Sequence, residues 1–476
     1  MDKKLLVWAL VLLGVCDISA SLRAQSEQLQ LSPAGSFAYS RFYSAYAALF
    51  DRRGMPYLYS AAKELGLVVF NVSNPSQPIP VDTLRGAALH QLDVTNLVQR
   101  GHLLYLALGG IQGISQAAGL AIVDIQNPEK PSVLGFWSSP DFKQGCAIVR
   151  VEGDHAYLGV MEEGLLVLNV ANPTDIQWVS RFKPDPNWPG AVITPPNARG
   201  LEVRDNIAYL CYDAGGLRVI DLGNKQQPVE IGRYANPALL AKAAPAYNNI
   251  RLAGDYAFLA VDYCGLEVLD IGQAANPKSI AWLNPWNCNG ASWFGSAGHL
   301  NELVLAAHDS LLFASGGDSE LLVFDVSQPT LPRAVGSYAM PGDSTAAWGI
   351  DVWGNLVALS CINNSALPFF QPFYADFGGL QLLYWQKTSG LPPLDHAEKL
   401  RVSPNPTLGP IRIEIPENID FQTIEIFNSH GIILKTVPWS GGETAFDLGG
   451  LPEGLYFIKV RTKGKMFMGR VVKVNF

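Results

Sequence analysis

Charge is scarce in this chain of 476 residues. Asp, Glu, Lys and Arg together make 16% of it, with a formal balance of −8, against about 25% in an average globular domain. So little positive charge disfavours general affinity for nucleic acid. Helical periodicity is scarce as well, which excludes bundles and solenoids of helices. Cysteine is rare, at six residues. Cys16 lies in the leader, and the other five are too few and too far apart for a disulfide framework. Cys146, Cys211 and Cys361 fall inside strand patterns and are expected in the core. Cys264 and Cys288 fall in loops, where a bridge between them stays open. No apolar run reaches the roughly 20 residues needed to cross a bilayer. The run Leu5 to Val15, behind Lys3-Lys4 and ahead of small residues, reads as a signal peptide of residues 1–24. Walker, Rossmann, G-x-S-x-G, H-E-x-x-H and EF-hand patterns are all missing. The sequence therefore indicates no cofactor and no metal.

What the chain does have is one stretch written many times. GLRVIDL begins at Gly216, and near-copies begin at Gly66, Gly119, Gly164, Gly265, Glu320 and Gly379. The aligned leucines are Leu67, Leu120, Leu165, Leu217, Leu266, Leu321 and Leu380, spaced 45 to 59 residues apart. Each copy alternates with period two and is flanked by further strand patterns and tight turns. Around Gly200 the unit reads as four strands, A to D. Asn-Pro or Gln-Pro pairs then end strand C, because proline lacks an N–H and restricts the residue before it. Four-stranded units repeating every 40–50 residues predict propeller blades. Seven copies predict seven blades. The seventh lacks an outer strand after Trp385, and the missing Gly-x-aromatic signature stands at Gly35-Ser36-Phe37. The N-terminal segment should therefore complete the last blade and leave no open edge.

Residues 25–388 are thus read as the propeller and residues 389–399, with Pro392-Pro393, as a linker. A different alternating pattern over residues 400–476 predicts a small β-sandwich. The fold class is all-β throughout.

The GL-V-V/I-D-V copies followed by Asn-Pro resemble the LVIVD repeats of secreted bacterial propellers, a family without a well-defined common activity. The C-terminal module resembles the sorting domain of the type IX secretion system of Bacteroidetes. The matching residues are Ser403-Pro404-Asn405-Pro406, the hairpin Phe427 to Gly431, Pro452-Glu453-Gly454-Leu455-Tyr456 and Lys473. This resemblance implies a partner, the type IX secretion machinery, and a location outside the cell or on its outer surface. It also implies that the tail is removed.

The long insertions all fall in D-to-A and B-to-C loops, which share one face of a propeller. They are Lys183 to Asn197, Pro285 to His299, Gly109 to Ala118 and Asn363 to Gly378. Insertions confined to one face mark a binding face, although drift in tolerant loops leaves the same trace. The loops are rich in aromatics, among them Trp188 and Trp293, and Trp348 precedes the last strand A. Such rings either stack on a ligand or fold inward and plug the channel. Acids recur just before strand C: Asp213 and Asp262 four residues ahead of the aligned leucine, Glu64, Glu162 and Asp318 three ahead. They suit a cationic ligand or simply cap turns. Arg199 and His299 belong to the same face. The expected ligand-binding set is Trp188, Arg199, Asp213, Asp262, Trp293, His299, Asp318 and Trp348. The expected function is a surface or secreted binding protein for a glycan or protein, with no transmembrane segment. The alternative is a polysaccharide- or peptide-cleaving enzyme at the channel mouth. An acid, base and arginine gathered there with strongly shifted pKa values would favour it.

Overall fold

The computed structural model describes residues 28–40, 43–110, 116–190, 195–240, 246–284, 288, 299–306, 310–316, 321–339, 345–363, 375–388, 397–414, 421–428, 433–438, 444–462 and 466–474. The expected signal peptide lies outside them. The chain divides into a unit of residues 30–386 and another that holds residues 387–476.

The described residues of the first unit form seven four-stranded sheets. Their first strands are Ala47–Phe50, Val94–Arg100, Ile148–Glu152, Gly200–Arg204, Tyr247–Ala253, Leu300–Leu305 and Ala347–Trp353. These strands touch one another in chain order, and the last touches the first. That is the inner ring of a β-propeller, and we number the sheets as blades 1 to 7. In blade 7 the strand order runs Ala347–Trp353, Leu356–Cys361, Gly379–Thr388 and then Gln28–Ala38. The beginning of the chain thus supplies the outer strand. Tyr39 N–H donates to the Gly378 carbonyl at 2.8 Å, and the Gln386 amide donates to Gln30 at 2.9 Å.

The repeated glycine ahead of strand C has a steric cause. Gly66, Gly164, Gly216 and Gly265 hold φ between 73° and 84°, a region that side chains disfavour. A Cβ on Gly66 would lie 2.0 Å from the Leu84 carbonyl oxygen, and one on Gly216 2.4 Å from that of Tyr234. At the far end of strand C, the asparagine of Asn-Pro contributes its own bonds. Asn74, Asn127 and Asn172 each accept the N–H two residues on, so an Asx-turn joins the proline in ending the strand.

Blades are joined on the A-to-B face by latches from strand A. The Glu152 carboxylate accepts N–H bonds from Asp205 and Asn206 of blade 4 at 3.0 and 3.3 Å. Arg204 donates to the Gly254 carbonyl of blade 5 at 2.6 Å, and Arg100 to that of Gly153 in blade 3. Apolar strands fill the spaces between sheets, as where Leu217 and Val219 meet Ile250 and Leu259. Blade 5 also buries Glu267 at 0% exposure. Its carboxylate accepts bonds from Tyr234, Asn236 and Tyr247 at 2.8 to 3.1 Å, which offsets the cost of burying the charge.

The second unit has a five-stranded and a three-stranded sheet. Ile411 and Phe446 of the smaller sheet share one core with Ile424, Ile426, Ile458 and Val471 of the larger. Among the described residues, no helix is long and apolar enough to cross a membrane.

Candidate functional site

The position four residues ahead of the aligned leucine is a structural pivot. Lys63, Met161, Asp213 and Asp262 occupy it in blades 1, 3, 4 and 5, and all have positive φ, from 28° to 48°. Three of them bridge to the next blade: Lys63 to Val94, Met161 to Ala198 and Asp213 to Tyr247. The backbone is thereby fixed around the channel mouth at equivalent places, and what varies is the side chain each blade presents there.

The mouth is spanned from side to side. Arg199 begins blade 4 and Trp348 belongs to blade 7, three blades further round the ring. The Arg199 guanidinium carbon sits 5.4 Å from the centroid of the Trp348 ring. Tyr46 of blade 1 meets the same indole edge-on at 5.6 Å, and Lys63 lies 5.9 Å over the Tyr46 ring. Ala147 and Met161 of blade 3 pack into the same cluster. Of the two expectations for an aromatic here, inward folding applies to Trp348. It forms the floor of the mouth, half-buried, under a guanidinium.

Arg199 also faces acids. Asp213 and Asp262 both feel its charge, and Asp262 also feels that of Asp213. Burial pushes the Asp262 carboxyl up to about 7, with Asp213 adding to the rise and Arg199 and the Asn248 side chain opposing it. Burial raises Asp213 as well, against Arg199 and a 3.5 Å bond from Asn197. Burial and then Arg199 press the His299 imidazole down to about 4, so at neutral pH the ring is uncharged. Its centroid is 6.0 Å from that of Tyr263. At pH 7 the mouth thus holds a neutral imidazole, a carboxyl near its midpoint, a second carboxyl and a fixed guanidinium.

The turn that carries Asp262 is pinned. Residues Asp262–Cys264 make one turn of 3₁₀ helix, and Cys264 is disulfide-bonded to Cys288 across 24 residues. The open question of that pair is settled in favour of the bridge. Trp282 Nε1 donates to the Cys264 carbonyl at 2.7 Å, and Asn284 holds the Cys288 backbone N–H at 3.2 Å. A bond between a B-to-C turn and a D-to-A loop suits an oxidising compartment. Cys146, Cys211 and Cys361 are buried, as expected.

Of the expected site residues, Arg199, Asp213, Asp262, His299 and Trp348 come together. Trp188 does not join them. Its ring lies 4.7 Å from the Arg218 guanidinium and 4.9 Å from that of Arg233. Arg218, at 0% exposure, donates to the carbonyls of Gly215, Asp185 and Trp188 at 2.8 to 3.0 Å. The indole therefore holds its own loop against blade 4. Trp293 and Asp318 lie outside the described residues. His90 stacks on Phe136 at 3.7 Å, away from the mouth.

One charged group escaped the sequence reading. Arg150, Glu202, Arg251 and Asp351 occupy equivalent strand-A positions, opposite Tyr157, Tyr209, Phe258 and Ala358. Glu202 bonds Arg150 at 3.1 Å and Arg251 at 2.9 Å. Arg251 reaches Glu302 at 3.5 Å, and Asp351 pairs with Arg52 at 2.6 Å. The channel side of blades 3 to 6 thus carries alternating, mutually neutralising charge, and Asp351 of blade 7 is paired with Arg52 of blade 1 instead. The signal was one charged residue flanked by two apolar ones in strand A of blades 3, 4, 5 and 7. Among the described residues, no group of three or more His, Cys, Asp or Glu is placed to hold a metal ion.

This architecture defines a β-propeller. The LVIVD repeat matches residues 56–83, 114–137, 147–183, 196–236, 247–281 and 314–340, and the secretion system C-terminal sorting domain matches residues 401–474. The chain is an LVIVD-repeat β-propeller with a type IX sorting tail, exported to the cell surface or beyond. The WD40 repeats of RRP9 superpose with a TM-score of 0.54 at 10% identity, covering 76% of this chain and 99% of that one. The WD40 propeller of Doa1 gives 0.49 at 8% identity, covering 76% and 98%. At such identities the likeness concerns the fold alone. No curated protein matches the chain.

Proposed function

We propose that this is an exported binding protein that holds a polar ligand, a glycan in the first instance, over Trp348 at the channel mouth. The supporting observation is convergence. Arg199 and Asp213 of blade 4, Asp262 of blade 5, His299 of blade 6 and Trp348 of blade 7 meet at one opening. They offer hydrogen-bond donors, acceptors and an aromatic floor, the mixture that orients a polyhydroxylated ligand. The test is a glycan and surface-protein array probed with the full chain, with product release followed on every hit. A hit lost in Asp213→Asn, with no product formed, supports the reading. A ligand that instead protects the A-to-B turns in hydrogen exchange overturns it.

A second reading has its own support in the shifted acids. Asp262 near 7 beside Asp213, and a neutral His299 near Arg199, are the groups that general acid–base cleavage of a glycan would use. Product release that disappears in Asp262→Asn, with ligand still bound, would make the protein a hydrolase or lyase.

A further inference from the structure

On the far side of the mouth from Asp262, blades 1 and 2 share a second polar group that no step above has used. The bridge between Lys63 and Val94 is made of two backbone bonds, 3.0 and 3.1 Å long. In an antiparallel bridge the flanking residues also stand opposite one another, so Glu64 faces Asp93. Asp93 is 4% exposed. Its Oδ1 accepts a 3.2 Å bond from Gln116 Nε2, and its backbone N–H donates to Gln116 Oε1 at 3.1 Å. Its Oδ2 is buried and has no hydrogen-bond partner, a condition that costs free energy. Glu64 keeps 37% of its side chain exposed and binds Lys63 Nζ at 2.7 Å, so the turn opens to solvent beside the orphan oxygen. Two carboxylates and one ammonium leave one negative charge uncompensated. Burial and the charge of Glu64 both disfavour ionisation of Asp93, a penalty that one more cation would relieve.

We propose that Asp93 and Glu64 form a subsite for a primary ammonium group, carried by an amino sugar whose remaining rings lie across the mouth toward Arg199 and Asp213. This deepens, and rests on, the reading of the mouth as a glycan site. An ammonium supplies what the pair lacks: a compact charge with three donors, one for Oδ2 of Asp93 and one for Glu64. An amino sugar is preferred over a lysine side chain because its hydroxyls would pair with the donors and acceptors around Arg199, Asn197 and Asn248. An alkyl stem would add no hydrogen bond to those groups.

The experiment is calorimetric titration of the full chain with a glucosamine tetramer, its fully N-acetylated counterpart and a tetralysine peptide. Acetylation removes the charge and keeps the ring. The expected result is binding of the free amine at least tenfold tighter than the acetylated form, with that preference lost in both Asp93→Asn and Glu64→Gln. Neither substitution removes volume, so thermal melts should show both variants folded: Asp93→Asn at or above the wild type, and Glu64→Gln lower by no more than the loss of its ion pair with Lys63. Equal affinity for the two sugars, or a preference that survives both substitutions, overturns the ammonium subsite and leaves the mouth reading standing. Binding of tetralysine with neither sugar bound overturns the amino sugar. A chain that binds none of the three overturns the subsite, whereas the array above tests the mouth itself.

Discussion

Arg199 and Trp348 stand three blades apart in the ring, yet the guanidinium carbon of one lies 5.4 Å from the ring centroid of the other. The contact crosses the mouth rather than running round it. It places a guanidinium over an indole on the D-to-A and B-to-C face, with Asp213 and Asp262 close enough to feel the Arg199 charge.

That pair is the first thing to perturb. Cation–π pairs contribute from about 0.5 to 2 kcal/mol according to their exposure. A double-mutant cycle of Arg199→Ala and Trp348→Ala should therefore show coupling of about 1 kcal/mol in urea unfolding. Each single change should also weaken binding of an array hit by about tenfold or more. Substitutions at Asp205 or Asn355, in A-to-B turns on the other face, should leave affinity unchanged. Additive singles, or normal binding by Trp348→Ala, would count against the site.

The raised carboxyl and the lowered imidazole make opposite predictions for stability against pH. Asp262 titrates near 7 in the folded chain and near 3.9 unfolded. The folded state binds the extra proton between these values, so stability contributed by this group falls as pH rises from about 4 to 7. His299 titrates near 4 folded and near 6.5 unfolded. There the unfolded state binds the extra proton, so its contribution rises over about pH 4 to 6.5. Asp262→Asn should raise the melting temperature relative to wild type above pH 7 and have little effect near pH 4. His299→Gln should lessen the loss of stability toward pH 4. Parallel melting profiles for wild type and both variants would refute the assignment.

Chain entropy sets the value of the Cys264–Cys288 bond. Closing a loop of 24 residues stabilises by about 3 kcal/mol in the loop-entropy treatment. Replacing both cysteines by alanine should lower the unfolding free energy by that order. It should also loosen Asp262, which stands two residues from Cys264, as faster amide exchange in residues 262–264. Unchanged exchange there would mean that the turn is held by its hydrogen bonds alone.

The sorting tail gives a cellular prediction. Deleting residues 400–476 should leave a folded propeller in the periplasm, and the full chain should reach the surface, as cell fractionation and immunoblotting would show. Truncated protein at the surface would contradict the role given to the tail.

Much of this was legible because a repeat aligns itself. The leucines from Leu67 to Leu380 set the period, and the same alignment puts Asp213 and Asp262 at one equivalent position, four residues ahead of their leucines. Gly35-Ser36-Phe37 located the missing strand of blade 7 because a closed ring tolerates no bare edge. Other features were hidden for physical reasons. Trp188 and Trp348 both read as aromatics of the loop face, and nothing in the local sequence tells an indole over a guanidinium inside its own blade from one that crosses the channel. The chain Arg150–Glu202–Arg251–Glu302 depends on neighbouring strands A meeting around the axis, a relation between residues about 50 positions apart. The Lys63–Val94 bridge that sets Glu64 against Asp93 is likewise a contact between blades, invisible to a reading made one blade at a time.

The seam in blade 7 has a consequence for the order of events in the life of the chain. Residues 28–38 are made before any blade and find their partner strand, Gly379–Thr388, only after every other blade has been made. Blades 1 to 6 are each built from consecutive hairpins and can form locally, whereas the last joint must wait. Its entropic cost is modest, since each doubling of loop length adds only about 0.6 kcal/mol. The delay is therefore one of timing. Until that strand arrives the ring is an open arc with two bare edges, and it closes only once residues 379–388 are in place.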